Sequence, residues 1–380
     1  MWQSLHDRWW RLATQSHPRS FWDSLASGAL QTCSVAYQLG VRLRNAAYDR
    51  GWMRQVKLPC RVVSVGNLTM GGTGKTSCVE LITRLLLEQE RRVAILSRGY
   101  GGTRREYWLQ TEAGRLRVDG VEGRGPDDLA DEPQLLASHL EGIPVLVGAS
   151  RARTGQRACA AFRADTVVLD DGFQHRRLHR DCDIVLLHAR TPLGGWPLFP
   201  RGPMREPLEA LRRADIVIVT KADEAPDVLP AYRERLRALN PEAVVASAVH
   251  EPRDLLEAFT GQSAPLTRLS GLRVGLLSSI GDPQGFEATV GRLDARVSWH
   301  RAFPDHYRYR LADWALLAAR ARAERLEALV TTEKDWIRLR LLMGEDNPRE
   351  PLPVWIVRIR MTIVDGAQEL HGRLARLYLR

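Results

Sequence analysis

The chain has 380 residues, a formal net charge of +10, 44% hydrophobic and 26% charged residues, the profile of an ordinary globular protein long enough for two domains with sizeable cores. Its five cysteines (Cys33, Cys60, Cys78, Cys159, Cys182) are scattered without a C-x-x-C pair, which excludes the usual disulfide or zinc framework and suits a reducing cytosol. The basic excess, much of it arginine, points to an anionic partner: nucleic acid, a phosphorylated ligand or an acidic membrane face.

Residues 1–60 read as an N-terminal helical segment. Trp2, Trp9, Trp10, Phe21, Trp22 and Trp52 sit among Arg8, Arg11, Arg19, Arg42, Arg44, Arg50 and Arg54. Between Asp23 and Arg42 no residue is charged, yet Gln31, Thr32, Ser34 and Gln38 interrupt the stretch. It is too polar for a membrane span and lacks the apolar core and cleavage site of a signal peptide. Two readings stand: an amphipathic helix lying in the membrane interface, or one packed on its own domain. Either predicts a cytosolic protein, attached to the inner leaflet in the first case.

Strand–helix alternation follows. Short apolar runs predict strands at 61–66, 92–97, 144–148, 166–170, 183–188 and 215–220, buried and parallel. Helices are predicted at 75–89, 131–140 and 150–163. The segment 99–130, rich in Gly and Arg, reads as a long loop with a short hairpin. A polar, proline-bearing stretch, 221–230, then leads to a second alternation. It has strands near 244–248, 273–279, 328–332 and 353–359, and helices near 284–293, 311–326 and 367–378. The expected architecture is α/β: a doubly wound, mostly parallel, P-loop NTPase-like core over 61–224 and a smaller α/β domain over 225–380.

The most informative stretch runs from Val62 to Thr76. A β-branched strand feeds a glycine-rich turn, Gly71-Gly72-Thr73-Gly74, that ends in Lys75-Thr76. Such a loop turns backbone N–H groups onto phosphate, brings a lysine to the β- and γ-phosphates and a hydroxyl to Mg²⁺. The following helix adds its positive end. Thr69 stands where the usual pattern has its first glycine. Downstream, Asp170-Asp171 ends a buried strand, where a carboxylate holds Mg²⁺ directly or through water. Adjacent carboxylates there repel unless a cation is present.

Other constellations carry less by themselves. Asp131-Glu132-Pro133 reads first as a helix-start dipole complement, with a general base as the alternative for Asp131. Asp305-His306 is either an acid/base pair or a structural turn. In Arg205-Glu206, Arg205 can neutralise phosphate and Glu206 can join the Mg²⁺ shell. Arg98 to Gly102 follows the strand at 92–97, at an end where open α/β sheets bind ligands. Thr332-Glu333-Lys334-Asp335 reads as a cap followed by a solvated charge run. Thr220-Lys221-Ala222-Asp223 matches a guanine-reading element and supports a GTPase alternative. Net charge motivates a nucleic-acid-binding ATPase, but no aromatic-basic recognition module accompanies it.

In this order the motifs resemble the tetraacyldisaccharide 4′-kinase family of lipid A biosynthesis. The resemblance rests on Ser64 to Leu68 with Gly71 to Thr76, Leu96 to Tyr100, Asp131-Glu132-Pro133, Asp170 through Arg177, Arg205-Glu206-Pro207 and Phe303 to Tyr307. It tolerates a hydroxyl residue at Thr69. Ala130 and Arg201 depart from its common pattern. It implies an ATP- and Mg²⁺-dependent kinase acting on the 4′-hydroxyl of an acylated glucosamine disaccharide 1-phosphate at the cytoplasmic face of the bacterial inner membrane. Nucleic acid is not an implied partner. Carried over, Lys75 and Thr76 hold phosphate and Mg²⁺, and Asp170, Asp171 and Glu206 surround the metal. Gln174, His175 and Arg205 line the phosphate and substrate cleft. Asp131 acts as base on the sugar hydroxyl, tuned by His306. The second domain is expected to close over bound nucleotide, and the N-terminal helix to contact the membrane.

Overall fold

A computed structural model of the chain describes residues 21–99, 106–113, 115–119, 129–191, 196–305, 307–343 and 352–379. The chain divides into two compact units, each assembled from separate stretches: residues 1–98, 150–249 and 361–380 form unit 1, and residues 99–149 and 250–360 form unit 2.

Unit 1 begins with helix α1 (Phe21–Asp49), strand β1 (Arg61–Asn67), α2 (Lys75–Glu88) and β2 (Val93–Ser97). The first stretch of unit 2 gives β3 (Glu106–Glu112), β4 (Arg115–Asp119), α3 (Asp131–His139) and β5 (Val145–Gly148). Unit 1 resumes with α4 (Arg151–Phe162), β6 (Thr166–Asp170), β7 (Cys182–His188), β8 (Ile216–Thr220) and α5 (Leu229–Leu239). Strand β9 (Val244–Glu257) belongs to unit 1 through Val249 and to unit 2 from His250. Unit 2 continues with β10 (Ser263–Ala264), β11 (Arg273–Ser278), α6 (Pro283–Gly291), β12 (Arg296–Ala302), α7 (Leu311–Ala323), β13 (Ala328–Thr332) and α8 (Glu333–Met343). Strand β14 (Val354–Asp365) enters unit 1 at Met361, and α9 (Ala367–Ala375) follows there.

In unit 1 the strand order is β9-β8-β7-β1-β6-β2, and every neighbour pair is parallel. The apolar runs that predict buried strands are buried throughout in β2, β6 and β8. Strand β1 is central, with Val65 opposite both Asp170 of β6 and Ile184 of β7. The ends of β1, β6 and β2 therefore deliver Asn67, Asp170 and Ser97 to one edge of the sheet, where open α/β sheets gather ligands.

Several sequence expectations shift. The 221–230 stretch is not a linker to a second domain. It leads into α5, whose Tyr232 and Leu236 join the core around Leu211, Val217 and Val219. The C-terminal stretch also returns to unit 1: Tyr378 Oη lies 2.7 Å from Thr166 Oγ1, Arg91 stacks 3.9 Å over the Tyr378 ring, and Arg373 pairs with Asp215. A single boundary near 225 thus becomes an interleaved division, because parallel pairing of β8 with β9 carries the chain to Val249 before it leaves unit 1.

In unit 2, β12-β11-β13-β14 is a parallel ladder. Its two faces are covered by separate apolar clusters, one around Trp314, Leu317 and Trp336, the other around Phe286, Val290 and Leu269. The expected hairpin is β3–β4, and β3 also pairs antiparallel with β5. Helix α3 packs on β3 and on α8.

Of the expected N-terminal segment, α1 is described from Phe21, and residues 1–20 lie outside the described residues. The helix is amphipathic. Ser34 and Val41 are buried, and the Ser34 hydroxyl donates to the Leu198 carbonyl at 2.8 Å. Val35, Leu39 and Leu43, four residues apart, lie 56%, 58% and 63% exposed, so they form one apolar stripe on the opposite face. Among the described residues no helix is long and apolar enough to cross a membrane.

Candidate active site

The glycine-rich turn after β1 is braced from several sides. Asn67 Nδ2 donates to Thr73 Oγ1 at 2.8 Å, and Gln174 Nε2 donates to the Asn67 carbonyl at 3.0 Å. Met70 N–H reaches the Pro203 carbonyl and Arg205 N–H the Leu68 carbonyl, both at 2.7 Å. These backbone bonds tie the turn to the 203–205 loop and fix where Arg205 emerges. Gly74 caps α2 with φ 81°, a conformation that favours glycine, and supplies no side-chain cap. That arrangement presents the first-turn N–H groups and the helix dipole to an anion.

Two carboxylates stand at the tip of β6. Asp170 is 8% exposed, and its Oδ2 accepts from Ser97 Oγ at 3.0 Å. Asp171 follows with φ 53°, a left-handed turn that aspartate tolerates better than most residues. Arg205 Nη1 donates to both Asp171 oxygens at 2.9 and 2.8 Å, and Lys75 Nζ lies 3.8 Å away. Burial alone would raise the Asp171 carboxyl. The charges of Lys75 and Arg205 outweigh that and hold it below the usual carboxylate range.

His175 is pushed down to about 4, by burial first and then by the charges of Arg151, Arg180, Arg177 and Arg98. It is therefore a neutral imidazole at physiological pH. Arg151, the first residue of α4, is 4% exposed, and its Nε finds no partner among the described residues. The Asn67 Oδ1 and Gln174 Oε1 atoms are likewise buried and unpartnered. Orphaned polar atoms and a cation surplus around two carboxylates fit a polyphosphate with its metal.

No three His, Cys, Asp or Glu side chains among the described residues converge on a metal position. Mg²⁺ needs no such cage, since one or two carboxylates with phosphate and water suffice. Glu206, expected around the metal, has other partners. It is wholly buried, accepts from Asn45 Nδ2 at 2.7 Å and from Arg213 Nη2 at 3.0 Å, and so ties α1 to the 206–213 segment. The guanine-reading alternative at Thr220 to Asp223 is a tight turn: Lys221 has φ 54° and its Nζ lies 3.3 Å from Glu224.

The proton-acceptor candidate belongs to unit 2. Asp131 and Glu132 open α3, and no side chain of Ala130 caps it. Each acid meets a cation from α8: Arg338 Nε donates to Asp131 Oδ2 at 2.7 Å, and Lys334 Nζ donates to Glu132 Oε1 at 3.0 Å. The 332–335 motif therefore differs from its reading. Thr332 does cap the turn, taking the Asp335 N–H at 3.2 Å, but Asp335 is fully buried rather than solvated. His306 lies outside the described residues. Sequence reasoning missed Asn67, Ser97, Arg151 and Arg338. The first two lie inside the quoted motifs Ser64 to Leu68 and Leu96 to Tyr100, at strand ends, and that was the usable signal.

A phosphate loop after a central parallel strand, with a lysine, two acids and an arginine at the neighbouring strand tip, defines a P-loop phosphotransferase fold. The family model for tetraacyldisaccharide-1-P 4′-kinase matches residues 26–378, and the chain belongs to that family. It is 42% identical to a tetraacyldisaccharide 4′-kinase of Syntrophus aciditrophicus over 318 residues, covering 82% of this chain and 83% of that one. It is 39% identical to one of Anaeromyxobacter dehalogenans over 372 residues, covering 97% and 93%. It also matches the crystal structure of LpxK from Aquifex aeolicus in complex with ATP, with TM-score 0.73 and 30% identity over 93% of this chain and 99% of that one.

Proposed function

We propose that the chain transfers the γ-phosphate of ATP to the 4′-hydroxyl of a tetraacylated glucosamine disaccharide 1-phosphate, a late step of lipid A biosynthesis. The observation that carries the reading, in a chain of this family, is the Lys75–Asp171–Arg205 cluster beside the phosphate loop. Gly71 to Thr76 wrap the phosphates with backbone N–H groups, and Lys75 and Arg205 neutralise the charge of the transferred group. Thr76, Asp170 and Asp171 supply the hard oxygen donors that fit Mg²⁺, which when bound draws charge from the phosphate oxygens. Glu206 fixes Arg213 and, through Asn45, α1. Gln174 fixes the end of β1, and neutral His175 offers a hydrogen bond to phosphate or sugar without adding charge.

Asp131 accepts the proton of the sugar hydroxyl, and His306 completes the proposed dyad. Phosphoryl transfer depends on positioning and charge neutralisation more than on covalent chemistry, so an ionised aspartate is base enough. The acyl chains stay in the bilayer at the cytoplasmic face of the inner membrane. The α1 stripe of Val35, Leu39 and Leu43, with exposed Trp52 and Met53 and the flanking Arg42, Arg50 and Arg54, supports an interfacial attachment.

The test is a transfer assay with γ-labelled ATP, Mg²⁺ and detergent-dispersed disaccharide 1-phosphate, wild type against Asp131→Asn. Label on the lipid, reduced by about 10²- to 10⁴-fold in the variant, is the expected result for loss of a general base. Label on the lipid in both moves the base elsewhere. Hydrolysis without lipid labelling, or strict GTP preference, overturns the kinase reading.

A further inference from the structure

Within unit 2, the guanidinium of Arg338 is held on several edges. Its Nε and Nη2 both lie on Asp131 Oδ2, at 2.7 and 2.6 Å. Its Nη1 donates to Ser279 Oγ at 2.7 Å and to the Ser279 carbonyl at 3.2 Å, and lies 3.7 Å from Asp335 Oδ1. Asp335 is itself fixed by the Tyr309 hydroxyl at 2.9 Å and the Thr332 hydroxyl at 2.6 Å. The chain of contacts runs from β13, through α8 and the end of β11, to one edge of a single carboxylate. Burial disfavours the Arg338 charge, but its bond to Asp131 more than offsets that, and the guanidinium is held above its ordinary value.

We propose that Arg338 is a positioning residue for the phosphoryl acceptor step: by gripping Asp131 Oδ2 it fixes the plane of that carboxylate to receive the hydroxyl proton. This rests on the reading of Asp131 as the base. A fixed cation on one edge sets the approach geometry, and misplacement of a reacting group by about 1 Å can cost about 10²-fold. The pair is not the sole link between α3 and α8. Lys334–Glu132 at 3.0 Å and His139–Glu333 at 2.6 Å make two further links between these helices.

The test measures kcat, KM and the pH profile for wild type, Arg338→Gln, Arg338→Lys and Ser279→Ala, and for Arg338→Gln in an Asp131→Asn background. The titratable and charged groups around Asp131 are Glu132 on its own helix; Glu333, Lys334, Asp335 and Arg338 on α8; Tyr107 on β3, whose hydroxyl accepts the Ala130 N–H; and Asp305 and Tyr309 before α7. Arg338→Gln should lower kcat about 10- to 100-fold with KM for ATP unchanged, and Arg338→Lys should restore part of it. The acidic limb of kcat should move to higher pH, because an adjacent cation has been removed. In the Asp131→Asn background the same change should cost less than about threefold, since two groups acting as one are not additive. Ser279→Ala, which removes the hydroxyl that accepts from both Arg338 Nη1 and the Tyr307 N–H, should show the same pattern a few-fold weaker and carries the test, by its shifted acidic limb, if Arg338→Gln does not fold. Equal losses in both backgrounds with an unmoved limb overturn the positioning role while leaving Asp131 as base. Near-normal turnover of Asp131→Asn overturns the base assignment, and this proposal with it.

Discussion

Two glycines in the nucleotide-binding stretch should respond oppositely to the same one-methyl change. A Cβ on Gly66 would come within 2.6 Å of Phe173 Cβ and 2.8 Å of the Phe173 backbone nitrogen. Phe173 is fully buried, so neither atom can swing aside. Overpacking of this kind costs about 1–3 kcal/mol. In a domain of some 150–250 residues each kcal/mol lowers Tm by about 2–4 °C, so Gly66→Ala should melt about 2–12 °C early. Because Phe173 stands two residues after Asp171, the displacement should also lower kcat. Gly72 has nothing within 4 Å of its Cβ position and no left-handed φ. Gly72→Ala should leave Tm unchanged or raise it slightly, since alanine restricts the unfolded chain by about 0.4–1 kcal/mol. Its cost should appear only with nucleotide, as a raised KM for ATP and a smaller ATP-induced rise in Tm. Scanning fluorimetry with and without Mg·ATP, beside steady-state kinetics, reads both. A Gly66→Ala protein that melts with the wild type would refute the packing argument. A Gly72→Ala protein that loses Tm but binds ATP normally would refute the cradle.

His175 should titrate with a midpoint near pH 4 by NMR of its ring, and a midpoint near the unperturbed value would contradict the environment described for it. The sign follows: its folded value lies below an unfolded value of about 6.5, so the unfolded chain binds the extra proton first and this residue's stabilisation is lost as pH falls from about 6.5 towards 4. Leu39→Glu with Leu43→Glu should abolish co-sedimentation with anionic vesicles while leaving Tm and ATP hydrolysis near wild type. Unchanged sedimentation would remove α1 as the attachment element.

What was legible in the sequence is what local pattern encodes. Strand β6 occupies the predicted 166–170 because Thr-Val-Val-Leu-Asp is one apolar run, buried on both faces. The phosphate loop could be read because its glycines and lysine are contiguous. Strand β12 was not predicted: it is largely exposed and carries Arg296, His300 and Arg301, so no apolar period marks it. Helix α5 was hidden by Pro226 and Pro230, which lie at helix starts rather than in a linker. The start of α8 was misread for a different reason. Its charges look solvated in isolation, and the partners of Lys334 and Glu333 lie 202 and 194 residues away at Glu132 and His139. The interleaving of the two units has the same origin, in pairings that no window of sequence contains.

The chain carries a surplus of ten positive charges, and part of it is concentrated where Lys75, Arg205 and Arg151 gather around Asp170 and Asp171. Lys75 and Arg205 face Asp171 and Arg151 faces Asp170, but Arg151 is 4% exposed with its Nε unpartnered among the described residues, and burial lowers its affinity for the proton more than Asp170 raises it. A buried guanidinium that is only partly satisfied is a standing cost to the folded state. The cost makes sense if a polyanion enters beside it, because each phosphate oxygen then converts an unfavourable desolvation into a charge-assisted hydrogen bond. If nucleotide phosphate enters there, its binding should raise the stability of unit 1 partly through Arg151, and Arg151→Met should shrink the ATP-induced rise in Tm.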